Sequence, residues 1–204
     1  MERWQGRVAI VTGASAGIGA AIVKLLAENG MKVVGFARRK ERVEELAVEA
    51  KSAGFKGEIH AFGGDVRVED DIKRAIQWTR EKLGGPDVLV SNAGVVAFSG
   101  LTEIGTEDLK KVLDTNLVGA CMFTREIVQD MKSRGVNDGH IFHINRFGLF
   151  SPKVRMHILR GCAPVPILFQ HGWPQHSQLP RHLCLCGWKA RSEGGHRGVA
   201  EGAA

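Results

Sequence analysis

The sequence predicts an α/β fold, with helices on both faces of a doubly wound parallel sheet. Short runs rich in Val and Ile recur along residues 1–145, and longer segments with apolar residues every three or four positions separate them. Short apolar runs are typical of buried strands, and the longer pattern is typical of amphipathic helices. Strands joined by helices of this length lie parallel, with right-handed crossovers. A chain of 204 residues has room for one or two such domains.

The first strand is predicted over residues 7–12, which read Arg-Val-Ala-Ile-Val-Thr. The helix after it is predicted to end at Gly30, because glycine is the usual residue just past a helix C-terminus. Its apolar positions recur at helical spacing and are expected to face the sheet: Ile18, Ile22, Leu25 and Leu26. Strand, turn and helix therefore form a first βα unit.

Two further βα units and a fourth strand follow in the same order. Strands rich in Val, Ile or Phe are predicted over residues 32–36, 59–62 and 87–90. The second helix runs from Lys40 until Gly54 ends it. The third helix begins at the acidic residues 69–71, which suit a helix N-terminus, and ends at the Gly-Gly-Pro of residues 84–86.

A long helix is predicted from Thr106 to Gly135, and a fifth strand over residues 140–144. The apolar positions of the helix keep the 3.6-residue period: Leu109, Val112, Leu113, Leu117, Ala120, Ile127, Val128 and Met131. Three apolar residues of this helix are expected to remain exposed because no other element packs on them: Leu117, Ile127 and Val128. An exposed apolar face of this kind promotes aggregation or partner binding. The sheet is therefore predicted to be Rossmann-like and truncated after about five strands.

The composition of the chain changes near Arg146. Residues 1–145 carry 20 basic and 20 acidic side chains, whereas residues 146–204 carry eight basic and two acidic side chains and five of the six prolines. Because repeated prolines interrupt helices and strands, we expect one α/β domain over residues 1–145 and an irregular C-terminal tail over residues 146–204. Aromatic residues do not alternate with the basic residues of the tail, which argues against a nucleic-acid partner.

The composition also narrows the class of protein. No apolar run approaches the ~20 residues that span a bilayer, and no signal-peptide core follows the start, so a soluble, cytoplasmic protein is expected. Four cysteines at irregular spacing are too few for a disulfide scaffold of this length. Four residues of the tail have a spacing unlike that of common zinc modules, so no metal is expected at His176, His182, Cys184 and Cys186.

The turn between the first strand and the first helix is rich in glycine, and residues 12–19 read Thr-Gly-Ala-Ser-Ala-Gly-Ile-Gly. Gly13 allows a sharp turn, Gly17 allows a pyrophosphate to approach the backbone, and Gly19 allows the helix to pack closely on the sheet. The helix N-terminus adds unpaired N–H groups and a positive dipole end. The turn therefore predicts a dinucleotide site; the alternative is a tight βα connection that binds nothing.

Three more motifs follow in order. They are Asp-Val at residues 65–66, Ser-Asn-Ala-Gly at residues 91–94 and Thr-Asn-Leu-Val-Gly at residues 115–119. Together with the Gly-x-x-x-Gly-x-Gly turn, they make residues 1–145 resemble the short-chain dehydrogenase/reductase family. The resemblance implies an oxidoreductase that uses a nicotinamide cofactor to interconvert a small-molecule carbonyl and an alcohol, such as a steroid or another lipophilic ketone. Members of this family commonly form homo-oligomers.

The residues after the second strand bear on the choice of cofactor. A carboxylate there would bond the ribose 2′-OH and repel a 2′-phosphate, but residues 37–40 read Ala-Arg-Arg-Lys. A guanidinium can bind phosphate through two parallel hydrogen bonds, so Arg38 and Arg39 favour NADP(H) over NAD(H). The alternative is that these cations only begin an exposed helix.

The resemblance also implies roles for the other motif residues. Asp65 would bind the adenine amino group, Val66 would contact the ring, and the backbone of Asn92 would lie near the adenosine ribose. Ala93 and Gly94 would keep the end of the strand open for the cofactor, the alternative being a plain turn. The pyrophosphate would be held by the residues of the glycine-rich turn: Gly13, Ser15, Ala16, Gly17, Ile18 and Gly19.

Asn116 falls within the apolar stripe of the predicted long helix, between Leu113 and Leu117. An unpaired amide buried there would cost on the order of 1–3 kcal/mol, so a hydrogen-bond partner is expected. One alternative is a buried hydrogen bond to neighbouring backbone. The resemblance implies instead that Asn116 is the asparagine of the catalytic tetrad, which holds a water in the proton relay.

The resemblance stops near Arg146. In the family the fifth strand ends in Asn-x-Ser, and a Tyr-x-x-x-Lys motif supplies the proton that the reduced carbonyl must gain. Here Arg146 stands where the serine is expected, and the 204 residues contain no tyrosine. The chain is therefore expected to be catalytically impaired. The alternative is a non-catalytic nucleotide-binding or interaction protein that arises from a frameshifted or alternatively spliced transcript.

Overall fold

Five parallel strands form the sheet in the computed structural model, which describes residues 2–100 and 102–144. The strands are β1 (Val8–Thr12), β2 (Lys32–Ala37), β3 (Glu58–Gly63), β4 (Val88–Ser91) and β5 (His140–His143). Their spatial order is β3-β2-β1-β4-β5, so the winding reverses between β1 and β4. The predicted doubly wound, Rossmann-like sheet is confirmed.

The helices lie where the sequence pattern predicts them, except that a π-helical turn divides the predicted long helix into two α-helices. They are α1 (Gly17–Glu28), α2 (Lys40–Ser52), α3 (Glu69–Leu83), α4 (Thr106–Leu113) and α5 (Ala120–Ser133). A π-helical turn, Asp114–Gly119, joins α4 to α5. Acidic residues stand in the first turn of α3 and basic residues in its last turn, which complements the helix dipole.

Both faces of the sheet are buried because successive residues of each strand point to opposite sides. On one face, Val11 lies in a core cluster with Val23 of α1. On the other face, Ile10 lies in a cluster with Ile72 of α3 and Ile127 of α5. Strands buried on both faces read as continuous apolar runs, and this explains why the sequence pattern locates them well.

The face of α1 that meets the sheet differs from the prediction. Ile18 and Leu25 are exposed over 63% and 52% of their surface, and the fully buried positions are instead Gly19, Val23 and Ala27. Small residues occupy this face because the helix packs very close to the glycine-rich turn. A Cβ on Gly19 would lie 2.3 Å from the carbonyl oxygen of Gly13.

The π-helical turn also changes which side of the long helix is buried. It inserts a wider turn into the helix and so shifts the face that follows it. Leu113 and Leu117 are 46% and 44% exposed, whereas Ile127 and Met131 are fully buried against the sheet. The prediction that Ile127 shares an uncovered face with Leu117 is therefore wrong.

Several predictions concern residues that the structure does not describe. The predicted tail over residues 146–204, Arg146 itself and the four residues with unusual zinc-ligand spacing lie outside the described residues. Among residues 2–100 and 102–144, no helix is both long and apolar enough to cross a membrane.

Candidate functional site

A cleft of about 280 Å³ opens at the carboxyl ends of β1, β2 and β4. In open α/β sheets, ligands bind at this edge, where the winding reverses. Ten residues predicted to bind cofactor line the cleft: Gly13, Ser15, Ala16, Arg38, Arg39, Asp65, Val66, Asn92, Ala93 and Gly94. The fold thus brings together side chains from three separate sequence motifs and the end of the second strand.

The glycine-rich turn crosses the base of this cleft. Gly13 has a φ of 67°, and its N–H donates to the carbonyl of Phe36 at 2.9 Å, which ties the end of β1 to β2. Gly17 has a φ of 57°, and the space beside it is open where a Cβ would stand. A ligand can therefore approach the backbone at Gly17. Gly17, Ile18 and Gly19 belong to the first turn of α1 and do not line the cleft itself.

Thr12 and Asn92 join the ends of β1 and β4. The Thr12 hydroxyl oxygen accepts from the backbone N–H groups of Asn92 and Ala93, both at 2.9 Å. In return, the Asn92 amide nitrogen donates to the Thr12 carbonyl at 3.0 Å. Because Thr12 is buried, these hydrogen bonds are partly shielded from solvent, and they hold the ends of β1 and β4 together.

Asp65 presents an ionised carboxylate on the cleft wall. Its oxygens accept from Arg67 Nη2 at 2.6 Å, from Arg67 Nε at 3.1 Å and from the Arg67 backbone N–H at 3.0 Å. The side-chain hydrogen bond from Arg67 lowers the pKa of Asp65 below its ordinary value, and partial burial opposes this shift. Arg67 Nε also reaches the second carboxylate oxygen at 3.1 Å, so each oxygen already accepts two contacts from Arg67. A hydrogen-bond donor on a ligand would therefore have to share or displace one of these contacts.

The three consecutive cations after β2 separate into two groups. Lys40 pairs with Glu44 at 2.8 Å on the exposed face of α2, which is the arrangement that the alternative interpretation describes. Arg38 and Arg39 line the cleft instead. Arg39 Nη2 donates to the Ser15 hydroxyl at 3.4 Å, so the guanidinium lies beside the glycine-rich turn. These two arginines are placed to meet an anion bound at the turn.

Asn116 lies in the π-helical turn and is exposed, so the prediction that it is buried in the apolar stripe is wrong. The cause is the π turn, which rotates Asn116 away from the sheet. Its Oδ1 accepts from the Val95 N–H at 2.8 Å, and its Nδ2 donates to the Val95 carbonyl at 2.9 Å. The amide therefore has a hydrogen-bond partner, as expected, but the bonds are exposed and go to a residue distant in sequence, not to neighbouring backbone in a buried stripe. Asn116 does not line the cleft.

Seven residues that line the cleft are not predicted as site residues from the sequence: Phe36, Ala37, Gly64, Arg67, Val95, Lys111 and Thr115. Most of them adjoin a predicted motif residue in sequence, so extending each motif by one or two positions would find them. Lys111 is different, because it lies on α4 one turn before Thr115. No sequence pattern marks it, and only the tertiary fold brings it to the cleft.

Comparison with known proteins gives a match to the family model described as short chain dehydrogenase over residues 7–146. Farnesol dehydrogenase of Aedes aegypti is 49% identical over 148 residues, which cover 71% of this chain and 59% of that protein. Dehydrogenase/reductase SDR family member 11 of Gallus gallus is 43% identical over 145 residues, which cover 71% of this chain and 57% of that protein. The chain therefore spans a little over half the length of these relatives.

Solved structures agree with the sequence relatives. A short-chain type dehydrogenase/reductase from Mycobacterium marinum superposes with a TM-score of 0.64 at 29% identity, covering 69% of this chain and 54% of that one. L-sorbose reductase from Gluconobacter frateurii, solved with NADPH and L-sorbose, superposes with a TM-score of 0.62 at 30% identity. That match covers 68% of this chain and 52% of the reductase.

Proposed function

Because this chain belongs to the short-chain dehydrogenase family, we propose that it binds NADP(H) in the cleft at the carboxyl edge of its sheet. The observation that carries the proposal is the convergence of Arg38 and Arg39 with the glycine-rich turn on one cleft. A phosphate dianion on the adenosine ribose would meet two guanidinium groups there. The 2′-OH of NAD(H) would offer them no charge to neutralise.

The residues present fit this cofactor. Open space at Gly17 and the N-terminus of α1 suit the pyrophosphate, which Gly13, Ser15, Ala16, Gly17, Ile18 and Gly19 would surround. The ionised carboxylate of Asp65 suits the adenine amino group, a hydrogen-bond donor, and Val66 suits the ring. The remaining residues predicted for cofactor binding would border the ribose and the path toward the nicotinamide: Asn92, Ala93 and Gly94.

The bound cofactor would supply a hydride to a carbonyl carbon or accept one from an alcohol. The chain itself would have to bring a proton to the substrate oxygen. Arg146 occupies the position of the expected serine, and no tyrosine is present. The amide of Asn116 is already bonded to the backbone of Val95. We therefore include in the proposal that this chain binds NADP(H) but turns substrate over poorly, since general acid catalysis contributes about 10²–10⁴-fold.

The substrate class follows from the relatives alone. One relative is named farnesol dehydrogenase, so a lipophilic alcohol or ketone is the substrate class we propose for the family reaction. A second candidate function is a non-catalytic nucleotide-binding or interaction protein. The exposed apolar surface near the π-helical turn favours it: Leu113, Leu117 and Val118. The two candidates differ in turnover and agree on the cofactor.

A fluorescence titration of the full chain with NADPH tests the binding, and an assay with farnesol and small aromatic ketones tests the turnover. We expect saturable NADPH binding and slow turnover, which is measurable only at high protein concentration because general acid catalysis is lost. Binding of NADPH with no turnover at all would favour the second candidate. Turnover near one per second that Asn116→Ala abolishes would contradict the proposed impairment and would mean that another group donates the proton. Absence of NADPH binding at millimolar cofactor would contradict the proposed site.

A further inference from the structure

Lys111, on helix α4, adds a positive charge to the wall of the cleft. It lies on α4, whereas Arg38 and Arg39 follow the end of β2, yet all three line the same cleft. Lys111 and Arg38 also border a neighbouring cavity of about 290 Å³, together with Val95. The two cations therefore stand at the junction of both cavities, on walls formed by different elements.

Two cations near Lys111 already have carboxylate partners. Arg67, which also lines the cleft, is held by Asp65 at 2.6 Å. Lys110, the neighbour of Lys111 on α4, lies 3.4 Å from Glu107. In the part of the chain that the structure describes, no carboxylate lies within 4.0 Å of the Lys111 ammonium or of the Arg38 guanidinium. Neither cation is therefore held in a close ion pair, although Asp108 borders the neighbouring cavity beside both of them. The charge of Arg38 also contributes to lowering the pKa of Asp65, after the hydrogen bond from Arg67.

We propose that Lys111 is a specificity-determining residue that attracts the 2′-phosphate of NADP(H) from α4, while Arg38 and Arg39 bind it from the end of β2. This inference rests on the proposed function, since it concerns the same cleft. An ammonium on a flexible four-carbon stem acts on phosphate as a point charge, whereas a guanidinium fixes the phosphate geometry. Lys111 would therefore strengthen the preference for the phosphorylated cofactor without setting its orientation.

The expected effect is modest and depends on salt. Lys111 is exposed, so its attraction to a phosphate acts through a high effective dielectric. A loss of about fivefold in affinity is expected when the charge is removed at low ionic strength. Because exposed charges are screened over about 10 Å at 0.1 M salt, the loss should shrink as salt is added. A guanidinium held by two hydrogen bonds would be less sensitive to salt.

Calorimetric titrations of the full chain with NADPH, NADH and adenosine 2′,5′-bisphosphate test the inference. Lys111→Gln should weaken NADPH and the bisphosphate about fivefold and leave NADH unchanged. Lys111→Arg should keep the wild-type affinities, because it keeps the charge. Lys110→Gln is the matched control: it removes the same charge from the adjacent position of the same helix, and it should change none of the three affinities.

The outcomes separate this inference from the proposed function. If the wild-type chain prefers NADPH over NADH and Lys111→Gln behaves as Lys110→Gln does, the role of Lys111 is wrong and the cofactor site stands. An equal loss for NADPH and NADH would also overturn that role, because the residue would not distinguish the 2′-phosphate. If the wild-type chain shows no preference for NADPH, the proposed cofactor and the role of Lys111 are both wrong.

Discussion

The side-chain amide of Asn116 pairs with both backbone groups of Val95. Its oxygen accepts from the Val95 N–H at 2.8 Å, and its nitrogen donates to the Val95 carbonyl at 2.9 Å. Val95 lies on the segment that leads from β4 to α4 and lines the cleft. Asn116, a residue of the π-helical turn, therefore holds one wall of the candidate cofactor site in place. Its amide bonds the Val95 backbone through one donor and one acceptor, as the backbones of adjacent strands bond each other.

Replacing Asn116 with alanine should loosen that wall. Two exposed hydrogen bonds are lost, so the free energy of unfolding should fall by about 1 kcal/mol, and NADPH affinity should fall with it. Urea denaturation measures the first effect. Asn29→Ala is a control, because Asn29 makes one exposed bond, to the Leu25 carbonyl, at the far end of α1. An unfolding free energy equal to that of the wild type would mean that the Asn116–Val95 pair contributes nothing.

Removing both arginines at the end of β2 should reduce the preference for NADPH. Each charge-assisted hydrogen bond to phosphate contributes roughly 1.5–3 kcal/mol, so Arg38→Ala with Arg39→Ala should weaken NADPH by at least tenfold and leave NADH nearly unchanged. Lys40→Ala is the matched control, because Lys40 carries the same charge one residue later but pairs with Glu44. A loss of the same size for NADH, or no loss for NADPH, would contradict the assignment.

The pair of Asp65 and Arg67 should make stability depend on acid pH. Arg67 lowers the pKa of Asp65 below the ordinary value of 3.8, so the contribution of this carboxylate is complete above that pH. It is lost as pH falls through the lower folded-state pKa. Arg67→Ala removes the main cause of the shift, so the pKa of Asp65 should rise toward 3.8 and the variant should lose less stability on acidification.

A carboxyl titration followed by NMR measures the pKa of Asp65 directly. Arg74→Ala is the control, because it removes a nearby cation that pairs with Asp71, and it should leave the Asp65 titration in place. An unchanged pKa of Asp65 in Arg67→Ala would mean that the Arg67 hydrogen bond does not hold the carboxylate in its ionised form.

Gly19 should tolerate no side chain. A Cβ there would lie 2.3 Å from the Gly13 carbonyl oxygen and 2.6 Å from the Asn92 amide nitrogen. Gly19→Ala should therefore lower the free energy of unfolding by at least about 1–3 kcal/mol and displace the turn. Ile18→Ala, at an exposed neighbouring position, should change stability by less than about 0.5 kcal/mol. Thermal unfolding compares the two, and equal midpoints would contradict the close packing of α1 on the turn.

The strands and the motif residues could be predicted from the sequence because local signals determine them. Strands buried on both faces read as continuous apolar runs, and Val33 and Leu89 illustrate this in β2 and β4. The glycine-rich turn could be located from its own spacing. The buried face of α1 could not, because the helix meets the sheet through Gly19 and Ala27, and a hydrophobicity pattern gives such small residues little weight.

The π-helical turn and the exposure of Asn116 also could not be predicted from the sequence pattern. A change from one hydrogen-bond register to another leaves no periodic signal in six residues, so the apolar positions appeared to continue the 3.6-residue repeat. Lys111 was missed for a related reason. Its approach to Arg38 depends on how α4 lies over the ends of the strands, and no local pattern encodes that approach.

The proposed preference for NADP(H) over NAD(H) is best tested by calorimetric titration of the full chain with NADPH and with NADH, side by side at low salt. We expect one saturable site for NADPH, with an affinity at least about tenfold higher than for NADH, since one charge-assisted bond to phosphate is worth that much. Equal affinities, or tighter binding of NADH, would contradict it.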